Sequence, residues 1–187
     1  KLGDPTPLHQ GRLTLNPLAH LDPLGTVLII FTIINGIGFG WAKPVQINPS
    51  YYKNSRSGTL LVAVAGPVAN LVLAVIFGLF LRGLLAFPFS PTTDLRLITI
   101  FLAFFQLGII LNLSLAFFNL LPFPPLDGSR ILRYFLSGKA IEWFDRLEQY
   151  GFFILLGVLI LFRDGLGRVL YALISFISGL IVGIPLF

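Results

Sequence analysis

Asn119-Leu-Leu-Pro-Phe-Pro-Pro-Leu-Asp-Gly-Ser-Arg-Ile-Leu132 is the stretch on which the fold turns. Upstream of it, Leu97 to Leu121 runs without a charge and is long enough to cross a bilayer, which takes about 20 apolar residues. The prolines at 122, 124 and 125 lack backbone N–H groups and end that helix. Asp127 then follows in sequence that otherwise suits lipid. A carboxylate at bilayer depth costs about 2.5–3.5 kcal/mol on insertion scales, and broken backbone there is tolerated only inside protein or against a wet cavity. The stretch therefore predicts a polar site built within the membrane, with Asp127 in it.

The remaining sequence has the same character. Hydrophobic residues make up 56% and charged residues 11%, well away from the balance of soluble domains. Ser57 to Leu81, bounded by Arg56 and Arg82, is the clearest spanning helix and contains Gly66-Pro67-Val-Ala-Asn70. Leu24 to Ala42 is long enough to span, although its second half is rich in glycine. Gln149 to Phe162 is short alone and could extend back into the charged patch Glu142 to Glu148. Val169 to Phe187 could span or pack peripherally. The first twenty-odd residues read as extended or irregular, with turns at Asn16-Pro17 and Asp22-Pro23. The expectation is an all-α polytopic membrane bundle of about four to six transmembrane helices, in one domain over residues 1–187, with a short extended N-terminal segment.

The net charge of +5 is scattered over loops, which suits lipid headgroups and not nucleic acid. If every apolar run crosses, six Lys and Arg fall on one side and seven on the other, so charge does not set the orientation. Without cysteine, neither disulfides nor thiolate metal sites are available.

Asp127 has two readings from chemistry alone. It could cap the helix that follows, Gly128 to Leu136, as Asp often does. It could instead be a metal ligand or a proton carrier. His9 and His20 are eleven residues apart with Asn16-Pro17 between them, so they cannot form a helical i, i+4 pair. His20 and Asp22 read as turn chemistry. Glu142, Asp145 and Glu148 fall near one helical face beside Arg146 and read as a solvated face, and Arg130 and Arg133 as headgroup-facing or helix-stabilising cations.

Asn-Leu-Leu-Pro-x-x-Pro-Leu-Asp-Gly-x-Arg-Ile-Leu resembles the third-ligand motif of the site-2 protease family, the intramembrane zinc metalloproteases. Gly11-Arg-Leu-Thr-Leu-Asn-Pro-Leu-Ala-His-Leu-Asp-Pro-Leu-Gly-Thr26, Gly40-Trp-Ala-Lys-Pro-Val45 and Gly66-Pro-Val-Ala-Asn70 resemble the bacterial and archaeal branch, in the same order. The likeness runs from the first residues to about Leu136. It implies a Zn2+ ion, with Asp127 as third ligand, Asn119 holding the substrate carbonyl or reacting oxygen, and Asn70 in the active-site cleft against the zinc helix. Substrates would be membrane proteins with a transmembrane helix, in the cytoplasmic membrane of a bacterium or archaeon; no nucleic acid is implied, and the oligomeric state is open.

The sequence departs from the family at one point. It holds no His-Glu-x-x-His, the motif that supplies two zinc ligands and the general base. The chain starts at Lys1, with no Met anywhere, immediately downstream of where that helix would end. The zinc helix is therefore expected to precede these residues, and the chain alone is expected to bind no zinc and to be inactive. Two other functions stay open: a non-catalytic membrane scaffold of the same fold, and a small transporter component using Asp127. No inverted repeat supports the latter.

Overall fold

The computed structural model describes residues 2–14, 16–34, 42–88 and 95–184. Gly40 and Trp41 of one family-like stretch, residues 35–41 of the first apolar run, 89–94 of the loop after Pro88 and the last three residues lie outside them. Among the described residues the chain is helical, its sole β feature being an isolated antiparallel bridge between Leu21 and Ala42. The helices are α1 (Thr6–His9), α2 (Pro23–Ile34), α3 (Ser55–Ala86), α4 (Leu95–Asn119), α5 (Asp127–Phe135), α6 (Lys139–Glu148), α7 (Gly151–Leu161) and α8 (Arg163–Val182), with 3-10 turns at Pro17–His20 and Pro49–Tyr51. They fall into two compact units, residues 1–58 and 59–187.

The first unit is held together by polar groups. The Asp4 carboxylate accepts from the backbone N–H groups of Thr6 and Asn48. The Gln10 and Gln46 side chains are bonded to each other, and the Lys43 N–H donates to the His20 carbonyl. Arg12, buried, donates to the carbonyls of Ala19 and Pro44. The irregular N-terminal segment is thus pinned against residues 42–48. The Asn16 side chain accepts from Leu18 N–H and starts the first 3-10 turn, as the Asn-Pro signal predicts. Among the described residues α2 covers twelve residues, about 18 Å.

The second unit carries the membrane helices. α3, α4 and α8 are long and apolar enough to span, which makes this an all-α integral membrane protein; α7 is apolar but has only 11 residues. The shared core is Ala74 and Leu81 from α3, Ile109 and Leu113 from α4, and Ile174 and Val182 from α8. Small residues let the backbones approach. A Cβ on Gly78 would lie 2.1 Å from the Ile181 side chain, and one on Gly108 would lie 2.6 Å from the Phe77 ring. Lipid tails give no hydrophobic drive between helices, so close van der Waals fit of this kind sets the packing.

Boundaries differ from the sequence pattern in two places. α3 runs past Arg82 for another turn, because Leu84, Leu85 and Ala86 continue the helix and the guanidinium reaches to within 3.7 Å of a Cβ position at Gly183, where α8 ends. The apolar run 149–162 does not extend back into the charged patch. Gln149 and Tyr150 separate α6 from α7, and Gly151 is seated against Pro124, 2.6 Å from its Cβ to a Cβ placed on the glycine. α5 and α6 are both amphipathic, with Phe144 turned inward, and bidentate hydrogen bonds of 2.6 and 2.8 Å from Arg133 to Asp145 join them. Arg133 is therefore helix-stabilising, and Asp145 is part of a pair and not simply a member of a solvated face.

Candidate functional site

α4 ends at Asn119, immediately ahead of the proline-rich break. Its backbone continues for one further turn through Leu120 N–H to the Ala116 carbonyl, then reverses through Leu126 N–H to the Phe123 carbonyl. The Pro124–Pro125 peptide in this reversal is cis. At its far end the buried Ser129 hydroxyl and the Ser129 N–H both donate to the Leu126 carbonyl, at 2.7 and 3.1 Å. Gly128 is wedged against the preceding loop. A Cβ there would stand 2.3 Å from the carbonyl oxygens of both Leu120 and Leu121, so no other residue fits without moving backbone. These contacts fix the first turn of α5 on the loop, and with it Asp127.

Asp127 is the first residue of α5. The N-cap is Leu126, and no side-chain capping bond is made. The bland alternative, Asp127 as a cap through its side chain, is thus not what the carboxylate does. It is half-buried, no N–H or O–H among the described residues donates to it, and the charge of Arg130, one turn ahead, acts on it. Its Oδ2 lies 3.2 Å from the position a Cβ on Gly66 would take. The glycine of the Gly66-Pro67-Val-Ala-Asn70 stretch is therefore a notch in α3 that admits the Asp127 carboxylate, and α3 continues through Pro67. Two of the stretches singled out in the sequence meet here.

Asn70 follows Gly66 by one turn on the same helical face and is half-buried, with no hydrogen bond from its side chain among the described residues. The Asn119 side chain is directed along its own helix, its Nδ2 donating to the Leu115 carbonyl at 2.9 Å. That bond uses one of its two amide N–H groups and leaves the second for a reacting oxygen. Gly66 and Asp127 are in contact; among the described residues no hydrogen bond ties Asn119 or Asn70 to Asp127.

Among the described residues no group of three or more His, Asp or Glu could hold a metal. His20 offers its ring to the Thr14 carbonyl at 3.0 Å, and His9 lies in the last turn of α1. Asp127 has oxygens free for a cation but no companion ligands among the described residues.

Sequence reasoning missed three residues. Ser129 and Gly128 lie in the quoted stretch, but their packing depends on where the loop folds back. Arg12 gave no periodic signal, and only its place between two turn motifs could have suggested burial.

Peptidase family M50 is the family whose model matches this sequence, over residues 18–162. Three curated relatives carry the name "Putative zinc metalloprotease". YwhC of Bacillus subtilis (strain 168) is 43% identical over 174 residues, covering 89% of this chain and 72% of the relative. Rip2 of Mycolicibacterium smegmatis is 34% identical over 179 residues, 93% of this chain and 62% of the relative. MJ0611 of Methanocaldococcus jannaschii is 34% identical over 105 residues, 56% of this chain and 48% of the relative. The chain thus spans less than two thirds of the latter two. No solved structure matches it.

Proposed function

The chain belongs to peptidase family M50, the site-2 proteases, and from that premise we propose that it is the core of an intramembrane zinc endopeptidase that cleaves transmembrane segments of other membrane proteins. The observation that carries this reading is the Asp127 carboxylate: half-buried, without a hydrogen-bond donor among the described residues, and seated in the Gly66 notch beside three apolar helices of spanning length. A carboxylate held in this way has its oxygens free for a cation, and intramembrane acids of this kind mark functional sites. The proposal assigns Asp127 as one zinc ligand, Asn119 to the substrate carbonyl and Asn70 to the cleft. The other two ligands and the general base belong to a His-Glu-x-x-His helix outside these residues, so the protease core is complete only with that helix.

The test uses the whole protein in membranes. Wild type should bind one zinc per chain and cleave a membrane-anchored reporter. Asp127→Asn should insert normally, lose cleavage and retain zinc far more weakly. Cleavage by Asp127→Asn at the wild-type rate would overturn the assignment. Absence of zinc from the wild-type protein would favour the non-catalytic scaffold, the reading that the lone carboxylate among the described residues otherwise supports.

A further inference from the structure

The first unit contains a polar cavity that the protease reading does not use. It has a volume of about 460 Å³ and is lined by Gln10, Arg12, Asp22, Lys43, Pro44 and Gln46. Arg12 is the unusual member. It is 6% exposed, and among the described residues its guanidinium donates only to neutral acceptors, the carbonyls of Ala19 and Pro44. Its Nε is buried and has no hydrogen-bond partner among the described residues. Among the described residues no carboxylate forms a salt bridge with it. A buried cation with an unspent N–H and no salt bridge calls for further polar partners, an anion or water.

The cavity has a second positive group in Lys43 and one negative group in Asp22. Asp22 is turned to other work, its Oδ1 accepting from Gly25 N–H at the start of α2 at 2.8 Å. Gln10 and Gln46 add amide N–H groups at the rim beyond those they spend on each other. The positive charges of Arg12 and Lys43 and the amide donors of Gln10 and Gln46 line one space and match the several oxygens of a phosphate.

The location identifies the source of that phosphate. α2 starts at Pro23, one residue after the cavity residue Asp22, and its apolar side chains Leu24, Val27, Ile30, Phe31 and Ile34 are all exposed. Cations at the polar end of an exposed apolar helix lie where phospholipid headgroups lie. We propose that the Arg12–Lys43 cavity binds the phosphate of an anionic phospholipid, with the acyl chains running along α2. This does not depend on the protease reading.

The experiment reconstitutes the protein in vesicles of roughly one part phosphatidylglycerol to four parts phosphatidylcholine and counts retained lipids by native mass spectrometry, with thermal unfolding in detergent as a second arm with and without inorganic phosphate. Arg12 also clamps the loop, so Lys43→Gln and Gln46→Leu are the informative variants. Phosphatidylglycerol should be enriched on the wild type and its enrichment should drop about fivefold in Lys43→Gln. If enrichment is absent but inorganic phosphate stabilises wild type and not Lys43→Gln, the cavity takes free phosphate and the lipid assignment falls. Equal phosphatidylglycerol retention by wild type and both variants, with no response to phosphate, overturns the site altogether.

Discussion

Replacing Gly66 with alanine tests the notch directly. The added methyl would stand 3.2 Å from Asp127 Oδ2, closer than the ordinary contact distance that begins near 3.4 Å, so the carboxylate must retreat by about 0.2 Å. Metal–ligand distances hold within about ±0.2 Å, so this displacement uses the whole tolerance of the proposed zinc site. Helix propensity acts in the other direction. Alanine in a helix interior is favoured over glycine by about 1 kcal/mol, so the variant should unfold no more easily than wild type. Gly66→Ala should therefore keep or gain thermal stability while losing several-fold in zinc affinity and in cleavage. Gly66→Val, with two further methyls in the same notch, should lose at least about tenfold, given that a 1 Å misplacement can cost about a hundredfold. Gly83 supplies the control. It is in the same helix with nothing within 4 Å of its Cβ position, so Gly83→Ala should change stability alone. The assays are zinc titration and cleavage of a membrane-anchored reporter by the whole protein, beside unfolding in detergent. Wild-type zinc affinity and cleavage in Gly66→Ala, or an equal loss in Gly83→Ala, would refute the argument.

The other predictions rest on individual contacts. Gly128→Ala would bring a methyl to 2.3 Å from two backbone carbonyls that cannot rotate away, and should lower stability by about 2–3 kcal/mol or prevent folding; retained thermal stability would contradict the wedge. The Arg133 guanidinium, by its hydrogen bonds and charge, holds the Asp145 carboxyl below the usual carboxylate range. A lowered folded value means the pair contributes fully above the unfolded pKa and loses its contribution as pH falls through the folded one. Both side chains are about 40% exposed, so Asp145→Asn should cost only about 0.5 kcal/mol near neutral pH, and the difference from wild type should vanish in the acid range below about pH 4. Unfolding curves at the two pH values measure it, and an unchanged gap would rule out the pair as its source. Asn119→Ala frees the Leu115 carbonyl but leaves the core untouched, so it should reduce turnover by about tenfold or more while leaving zinc content unchanged. A loss of zinc in that variant would move Asn119 from the substrate to the metal.

How far the sequence reaches differs from element to element. The long uncharged runs identify α3, α4 and α8, because transfer of apolar side chains into lipid is a property of composition and needs no partner. The prolines locate the end of α4 almost to the residue, because a missing N–H acts on its own helix. The turn at Asn16-Pro17 is equally local. Where two influences compete, the pattern misleads. Arg82 looks like a boundary but is carried inside α3, since a long side chain can take its charge elsewhere, and the 149–162 run stays a separate helix because Gly151 must seat on Pro124.

The site divides along the same line. Asp127 stands out in the sequence by itself, because an isolated carboxylate in apolar surroundings is costly wherever it ends up. That Gly66 is its seat, that Gly128 alone fits the loop, that Ser129 holds the Leu126 carbonyl and that Arg12 is buried with an idle N–H were decided only by the tertiary structure. Each depends on a few tenths of an ångström between segments far apart in the chain. Sequence periodicity determines which face a side chain occupies. The close packing of the helices and loops determines what that side chain touches.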